Sequence, residues 1–110
     1  MIVAFLQFDA RAKDAEEIIE LYEESAPRCM PWKGFIRKYY VLAEDGSIGG
    51  GIYLWNSKAE AEAILTDEFK AYVANRYSTS EPVISYFECP VVADKITSEI
   101  LSAQQVKKVA

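Results

Sequence analysis

Apolar positions along this chain follow two periods, and the periods alternate. Met1 to Asp9 (MIVAFLQFD) is nearly continuous in apolar residues, the pattern of a central strand buried on both faces. From about Asp14 to Ser25 the spacing becomes helical. Ala15, Ile18, Ile19, Tyr22 and Ala26 share one side, and Glu16, Glu17, Glu20, Glu23 and Glu24 fill the other. Asp14 and Glu17 suit a cap and its capping-box partner, and Pro27 is expected to stop the helix. Residues 27–34 (PRCMPWKG) form a loop in which Trp32 either plugs the core or lines a pocket mouth.

Gly34 to Trp55 (GFIRKYYVLAEDGSIGGGIYLW) reads as a long β-hairpin. Two runs rich in aromatic and β-branched residues flank Asp45-Gly46, a pair that accepts positive φ in a two-residue turn. That turn pairs Leu42 with Gly49, Tyr40 with Gly51, Lys38 with Tyr53 and Ile36 with Trp55. One face then carries Ile36, Lys38, Tyr40, Leu42, Tyr53 and Trp55. The other carries Phe35, Arg37, Tyr39, Val41, Ala43, Ile48, Ile52 and Leu54. Both faces are largely apolar, so both need a cover.

Beyond the hairpin, Ser57 and Glu60 form a second capping box, and Ala61, Ile64 and Leu65 an inner stripe. The helix breaks or restarts near Thr66-Asp67-Glu68, then continues through Phe69, Tyr72, Val73, Arg76 and Tyr77. Pro82 to Pro90 (PVISYFECP) is a last strand whose flanking prolines suit an edge. From Asp94 to Ala110 the spacing of Ile96, Ile100 and Ala103 predicts a weak terminal helix, or an arm that reaches a partner. The order is βαββαβ plus a tail: a ferredoxin-like α+β domain over residues 1–92, with strands one and three central in an antiparallel sheet, and a tail over 93–110. The helices cover one sheet face. The other is apolar and bare, so face-to-face packing with a second copy, a homodimer, is expected.

Composition narrows the function. At 110 residues the chain makes one domain. A formal charge of −5 with no basic cluster disfavours nucleic acid and anionic membrane as partners. No run of 18 apolar residues and no signal-peptide pattern occurs, which suits a cytoplasmic protein. Cys29 and Cys89 lack a metal-binding spacing and read as free thiols. Histidine is absent altogether, which removes a Ser-His-Asp triad and the commonest haem and zinc ligand. No bound metal or cofactor is expected. Chemistry falls to carboxylates, Tyr, Lys, Arg, Asn, Gln or the substrate itself.

The stretch GGGIYLW at 49–55, followed by SKAEAEA at 57–63, resembles the YdhR family of mono-oxygenases. So do WKGFIRKYY at 32–40, Glu81-Pro82-Val83 and Tyr86-Phe87-Glu88. The resemblance spans roughly residues 1 to 92. These proteins are small dimeric α+β barrels related to the antibiotic-biosynthesis mono-oxygenases. The resemblance implies cofactor-independent oxidation of an electron-rich aromatic or polyketide-like compound whose own carbanion reacts with oxygen. It also implies that Trp55, ending the third strand, lines a pocket, and that Gln7 is the amide-bearing residue of the first strand. Haem-degrading relatives use a histidine on the second helix, and residues 67–73 contain none.

The glycines at 49–51 precede or begin a strand, so they are not a phosphate loop. They make room for large cross-strand side chains or mark a bulge. Lys38, Tyr40 and Tyr53 are amphipathic and share the Trp55 face, which suggests a wet, aromatic-walled cavity for a flat ligand. The predicted site lies between helices and sheet: Lys38, Tyr40, Tyr53 and Trp55 on the wall, Gln7 at the floor, Tyr72 and Arg76 from the second helical region. Lys38 or Arg76 could stabilise an enolate or phenolate. No residue is singled out as catalytic. The alternatives are a non-catalytic dimeric ligand-binding or stress-related module, and an isomerase or lyase. For Trp55 the competing reading is plain core beneath the second helix.

Overall fold

A computed structural model describes residues 1–102 and, as backbone, 105–108. Its elements are β1 (Ile2–Asp9), α1 (Ala15–Cys29), β2 (Phe35–Leu42), β3 (Ile48–Trp55), α2 (Lys58–Ile64), α3 (Asp67–Arg76), β4 (Val83–Glu88), β5 (Val91–Asp94), β6 (Glu99–Ser102) and β7 (Gln105–Lys108). The first four strands of the chain form one antiparallel sheet in the order β2-β3-β1-β4. The fold is therefore α+β and ferredoxin-like, with β1 and β3 central and β4 at an edge.

Local chemistry starts each helix as its sequence requires. Asp14 accepts the Glu17 amide at 2.9 Å, and Thr66 accepts that of Phe69 at 3.2 Å. Ser57 accepts the Glu60 amide at 3.2 Å and donates to the Glu60 carboxylate at 2.9 Å. The first helix outlasts its expected end, however, because Pro27 lies inside it. A proline blocks the bond to the carbonyl four residues back. Only two more residues follow before the C-cap Met30, so little of the ladder is lost. Burial of Cys29 against the sheet gives the last turn a reason to persist.

The hairpin keeps the expected register from Leu42–Gly49 to Lys38–Tyr53 but departs from it at both ends. At the tip only Gly46 has positive φ, at 76°. The loop is wider than a two-residue turn. Ala43 N bonds Ile48 O, Gly46 N bonds Ala43 O, and Asp45 Oδ1 receives Ser47 N and Oγ. At the base a bulge between Phe35 and Arg37 pairs Phe35, not Ile36, with Trp55. The extra residue moves Phe35 to the helix side, where its ring packs edge-on against Trp55.

The tail corrects the helical expectation. It forms a second antiparallel sheet, β5-β6-β7. Asp94 Oδ1 accepts the amides of Ile96 and Thr97, and Ser98 takes positive φ, so residues 95–98 turn back sharply. Ile96, counted above as one position of a helical stripe, stands at the turn and is 95% exposed. Ala103 lies outside the described residues. Arg37 of β2 donates to the Asp94 carboxylate, which ties the tail to the main sheet.

All three helices lie on one side, over a core that includes Ala4, Leu6, Phe8, Ile18, Tyr22, Tyr53, Trp55, Ala61 and Val73. The opposite sheet face presents Val3, Phe5, Tyr39, Val41, Ile52, Val83 and Phe87. Tyr39, Val83 and Phe87 are each more than half exposed there. Among the described residues, no helix is long and apolar enough to cross a membrane.

Candidate functional site

Between α1, α3 and the inner sheet face lies a partly enclosed cavity of about 60 Å³. Its sheet wall comes from alternate residues of β2 and β3. Lys38 and Tyr40 project from β2 and Tyr53 from β3, Gly51 leaves space between them, and Gly50 also borders the cavity. The glycines are needed for two different reasons. A Cβ on Gly50 would run into the Leu6 carbonyl oxygen, which is backbone and cannot yield. A Cβ on Gly51 would stand 2.5 Å from Lys38 Cε, in the space the lysine stem uses.

The helix wall is a stripe on α1. Tyr22, Ser25 and Cys29 recur at spacings of three and four, so they share a face. Tyr22 Oη donates to Val41 O at 2.7 Å and accepts Gly50 N at 3.0 Å. Burial pushes its phenol up to about 12, against the lowering effect of the Gly50 amide. Tyr40 Oη lies 2.9 Å from Ser25 Oγ, which donates to it, and 3.4 Å from Cys29 Sγ. Burial raises the Tyr40 and Tyr53 phenols further, so both stay protonated at neutral pH. At the mouth, Arg28 Nη1 of α1 donates to Tyr72 Oη of α3 at 2.6 Å.

Lys38 is the unusual group. Its Nζ stands 3.7 Å from the Tyr40 ring centroid and 4.4 Å from that of Tyr53. Burial lowers its pKa to about 8, although a charged Cys29 would raise it. None of the residues lining the cavity is acidic, and Arg28 and Arg76 join Lys38 there. Arg76 is already engaged: Nη2 donates to Leu21 O at 2.8 Å and reaches Glu24 at 3.4 Å. The result is an aromatic-walled cavity of positive charge with one desolvated amine.

Five of the seven predicted residues meet here: Lys38, Tyr40, Tyr53, Tyr72 and Arg76. The other two do not. Gln7 is exposed on the opposite sheet face, between Gly50 and Val83 in register, because alternation along β1 turns Leu6 and Phe8 inward. Trp55 is fully buried and absent from the cavity wall. It stacks on Trp32 at 5.9 Å and on Tyr53 at 6.2 Å, with Phe35 against it. Trp32 serves both roles that its loop position allowed, since it covers Trp55 and also borders the cavity. Ending α1 at Pro27 cuts the stripe before Arg28 and Cys29, whereas Tyr22 and Ser25 fall inside the predicted helix and only its packing on the sheet brings them to the cavity.

No protein-family model matches this chain, and no curated protein matches it either. Solved structures do. One is the mono-oxygenase ActVA-Orf6 of Streptomyces coelicolor, in complex with nanaomycin D. It is 16% identical with a TM-score of 0.60, over 80% of this chain and 86% of that one. Another is SnoaB, a cofactor-independent oxygenase of Streptomyces nogalater, 14% identical with a TM-score of 0.60 over 80% and 91%. A third is NE2512 of Nitrosomonas europaea, of unknown function, 18% identical with a TM-score of 0.63 over 80% and 87%. At these identities the likeness is one of fold. The chain therefore has the ferredoxin-like α+β fold found in antibiotic-biosynthesis mono-oxygenase structures.

Proposed function

We propose that this chain is a cytoplasmic, homodimeric, cofactor-independent mono-oxygenase of a small aromatic or polyketide-like substrate, as its resemblance to the YdhR family implies. The observation that carries this reading is the carboxylate-free cavity holding the desolvated Lys38 amine among aromatic rings. The fold shared with SnoaB and ActVA-Orf6 supports it.

The chemistry needs only a base and a place for negative charge. With a pKa of about 8, roughly a tenth of Lys38 is neutral at pH 7. That amine takes a proton from an acidic ring CH₂. The ammonium so formed stays beside the enolate or phenolate, where water is scarce and the attraction is strong. The anion passes electrons to O₂, a carbon–oxygen bond forms, and the hydroperoxide loses water. The sum is CH₂ + O₂ → C=O + H₂O. A cavity of about 60 Å³ is small for a ring system, so entry requires the Arg28–Tyr72 contact to part.

The test is oxygen uptake with a panel of anthrone- and quinol-like compounds, without flavin or metal. Consumption that depends on both protein and substrate, and is lost in Lys38→Met, supports the enzyme. A ligand-binding module without turnover is the second reading. The commitment of the Tyr22 and Tyr40 hydroxyls to structural partners favours it. Binding of the same compounds with no oxygen uptake would select that reading. Conversion without oxygen would select the isomerase or lyase.

A further inference from the structure

We propose that Lys38 is a covalent attachment site, whose amine condenses with a short-chain aldehyde or ketone to form an imine inside the cavity. This goes beyond the oxygenase reading and does not depend on it. The step is balanced without a redox partner. The nitrogen lone pair attacks the carbonyl carbon, the oxygen takes up protons, and the C–O bond breaks to release water: R–NH₂ + O=CR′₂ → R–N=CR′₂ + H₂O.

Four observations converge on the lysine. Its Nζ borders a cavity, so a small molecule can reach it. Among the described residues, no acidic one lines that cavity to hold the nitrogen as an ammonium by an ion pair. Burial among apolar and aromatic groups favours the neutral amine, the environment that activates imine-forming lysines. An ordinary lysine is neutral in well under a thousandth of molecules at pH 7, against roughly a tenth for Lys38. Finally, the absence of a side chain at Gly51 gives the lysine stem its room beside the cavity, since a Cβ there would stand 2.5 Å from Lys38 Cε.

Size selects the partner. A cavity of about 60 Å³ is small beside those that hold drug-sized ligands. A carbonyl compound of about three to five heavy atoms suits that space as it stands, whereas a fused ring enters only when the Arg28–Tyr72 contact parts. Once formed, the protonated imine keeps the positive charge and spreads it. The faces of Tyr40 and Tyr53 receive a diffuse cation well. Scarcity of water around it disfavours hydrolysis back to the amine.

The experiment is reductive trapping. The wild-type chain is incubated with propanal and cyanoborohydride at neutral pH under nitrogen, then analysed by intact mass and peptide mapping. The expected result is a propyl group on Lys38 added at least about tenfold faster than on any other lysine, with any adduct on the N-terminal amine mapped separately. A fused-ring aldehyde, 1-naphthaldehyde, which needs the Arg28–Tyr72 contact to part, should label Lys38 more slowly than propanal does. Lys38→Arg, which keeps the cation, should lose the fast phase. Similar rates on Lys13, Lys33, Lys58, Lys70, Lys95 and Lys38 would overturn the proposal, as would a stable adduct on Cys29 instead. The map is made on the unmodified protein, so a variant that fails to fold does not obscure it. Exclusion of oxygen keeps the result separate from the oxygenase test.

Discussion

The nitrogen of Lys38 rests 3.7 Å from the centre of the Tyr40 ring, its neighbour two residues along β2. Successive same-side residues of a strand carry the two groups, so the contact follows from alternation alone. What the contact replaces is water. A ring face offers a cation only part of what hydration does, and the lysine pKa falls from 10.5 to about 8.

That shift has a pH signature. Between pH 8 and 10.5 the unfolded chain holds a proton on Lys38 that the folded chain has released, so stability rises with pH across this window. Below pH 8 both states are charged and the full penalty of burial applies. Lys38→Met removes the penalty and keeps the volume. The variant should therefore exceed the wild type by about 2–3 kcal/mol near pH 7, and the gap should close towards pH 10.5. The buried tyrosines act oppositely. Their raised pKa values, about 12 for Tyr22, lower the stability of both proteins above pH 10. Denaturant unfolding at pH 7, 8.5 and 10 measures the gap; one that does not change with pH would refute the assignment.

Trp55 behaves as core. With 0% exposure and rings from Trp32, Tyr53 and Phe35 against it, truncation leaves a cavity on every side. Trp55→Ala should cost about 3–5 kcal/mol. Its Nε1 is buried without a hydrogen-bond partner among the described residues, so Trp55→Phe loses volume but none of the described hydrogen bonds and should cost less. Chemical denaturation of both variants checks the order. Ligand affinity in Trp55→Phe should change little, since the indole does not border the cavity.

Adjacent glycines should respond differently to alanine. Gly50→Ala drives a methyl into the Leu6 carbonyl of the neighbouring central strand and should cost about 1–3 kcal/mol or more. Gly51→Ala meets chiefly the movable end of Lys38, with Tyr53 at 3.1 Å. It should cost less stability and displace the amine. Thermal melts together with propanal labelling separate the two effects, and equal melting temperatures would contradict the packing argument.

The bare sheet face should bury itself against a second copy. Sedimentation of the wild type at micromolar concentration is expected to give a dimer. Phe87 and Tyr39 are 54% and 56% exposed on that face, so Phe87→Glu and Tyr39→Glu should each shift the chain towards monomer with secondary structure intact. A wild-type monomer at these concentrations would rule out the face as an interface.

Asp94 should loosen the tail on acidification. The Arg37 guanidinium holds its carboxyl below the ordinary carboxylate range. The tie is complete above the unfolded pKa and is lost as pH falls through the lower folded value. Amide exchange in β5 and β6 should therefore accelerate at low pH, and do so at neutral pH in Asp94→Asn. Equal protection in wild type and Asp94→Asn at neutral pH would show that the ion pair does not hold the tail.

The order of elements through β4, the caps at Asp14 and Ser57, the middle of the hairpin register and the bare face were legible in the residues, because each depends on periods and contacts within a few positions. The same local logic put Lys38, Tyr40 and Tyr53 on one face, and the tertiary structure kept them there. It could not show that Gln7 faces away, because the continuous apolar run of β1 carries no alternation to reveal its sides. Nor could it reveal the bulge at Ile36, which moves Phe35 onto Trp55, or the burial of Trp55 beneath Trp32. The tail misled for a related reason: apolar residues four apart suit a helix as well as two short strands, and the Asp94 turn decides between them. Local spacing therefore determined which side chains could share a face. Packing of α1 and α3 onto the sheet decided which of them meet a cavity, since burial and desolvation exist only once distant segments touch.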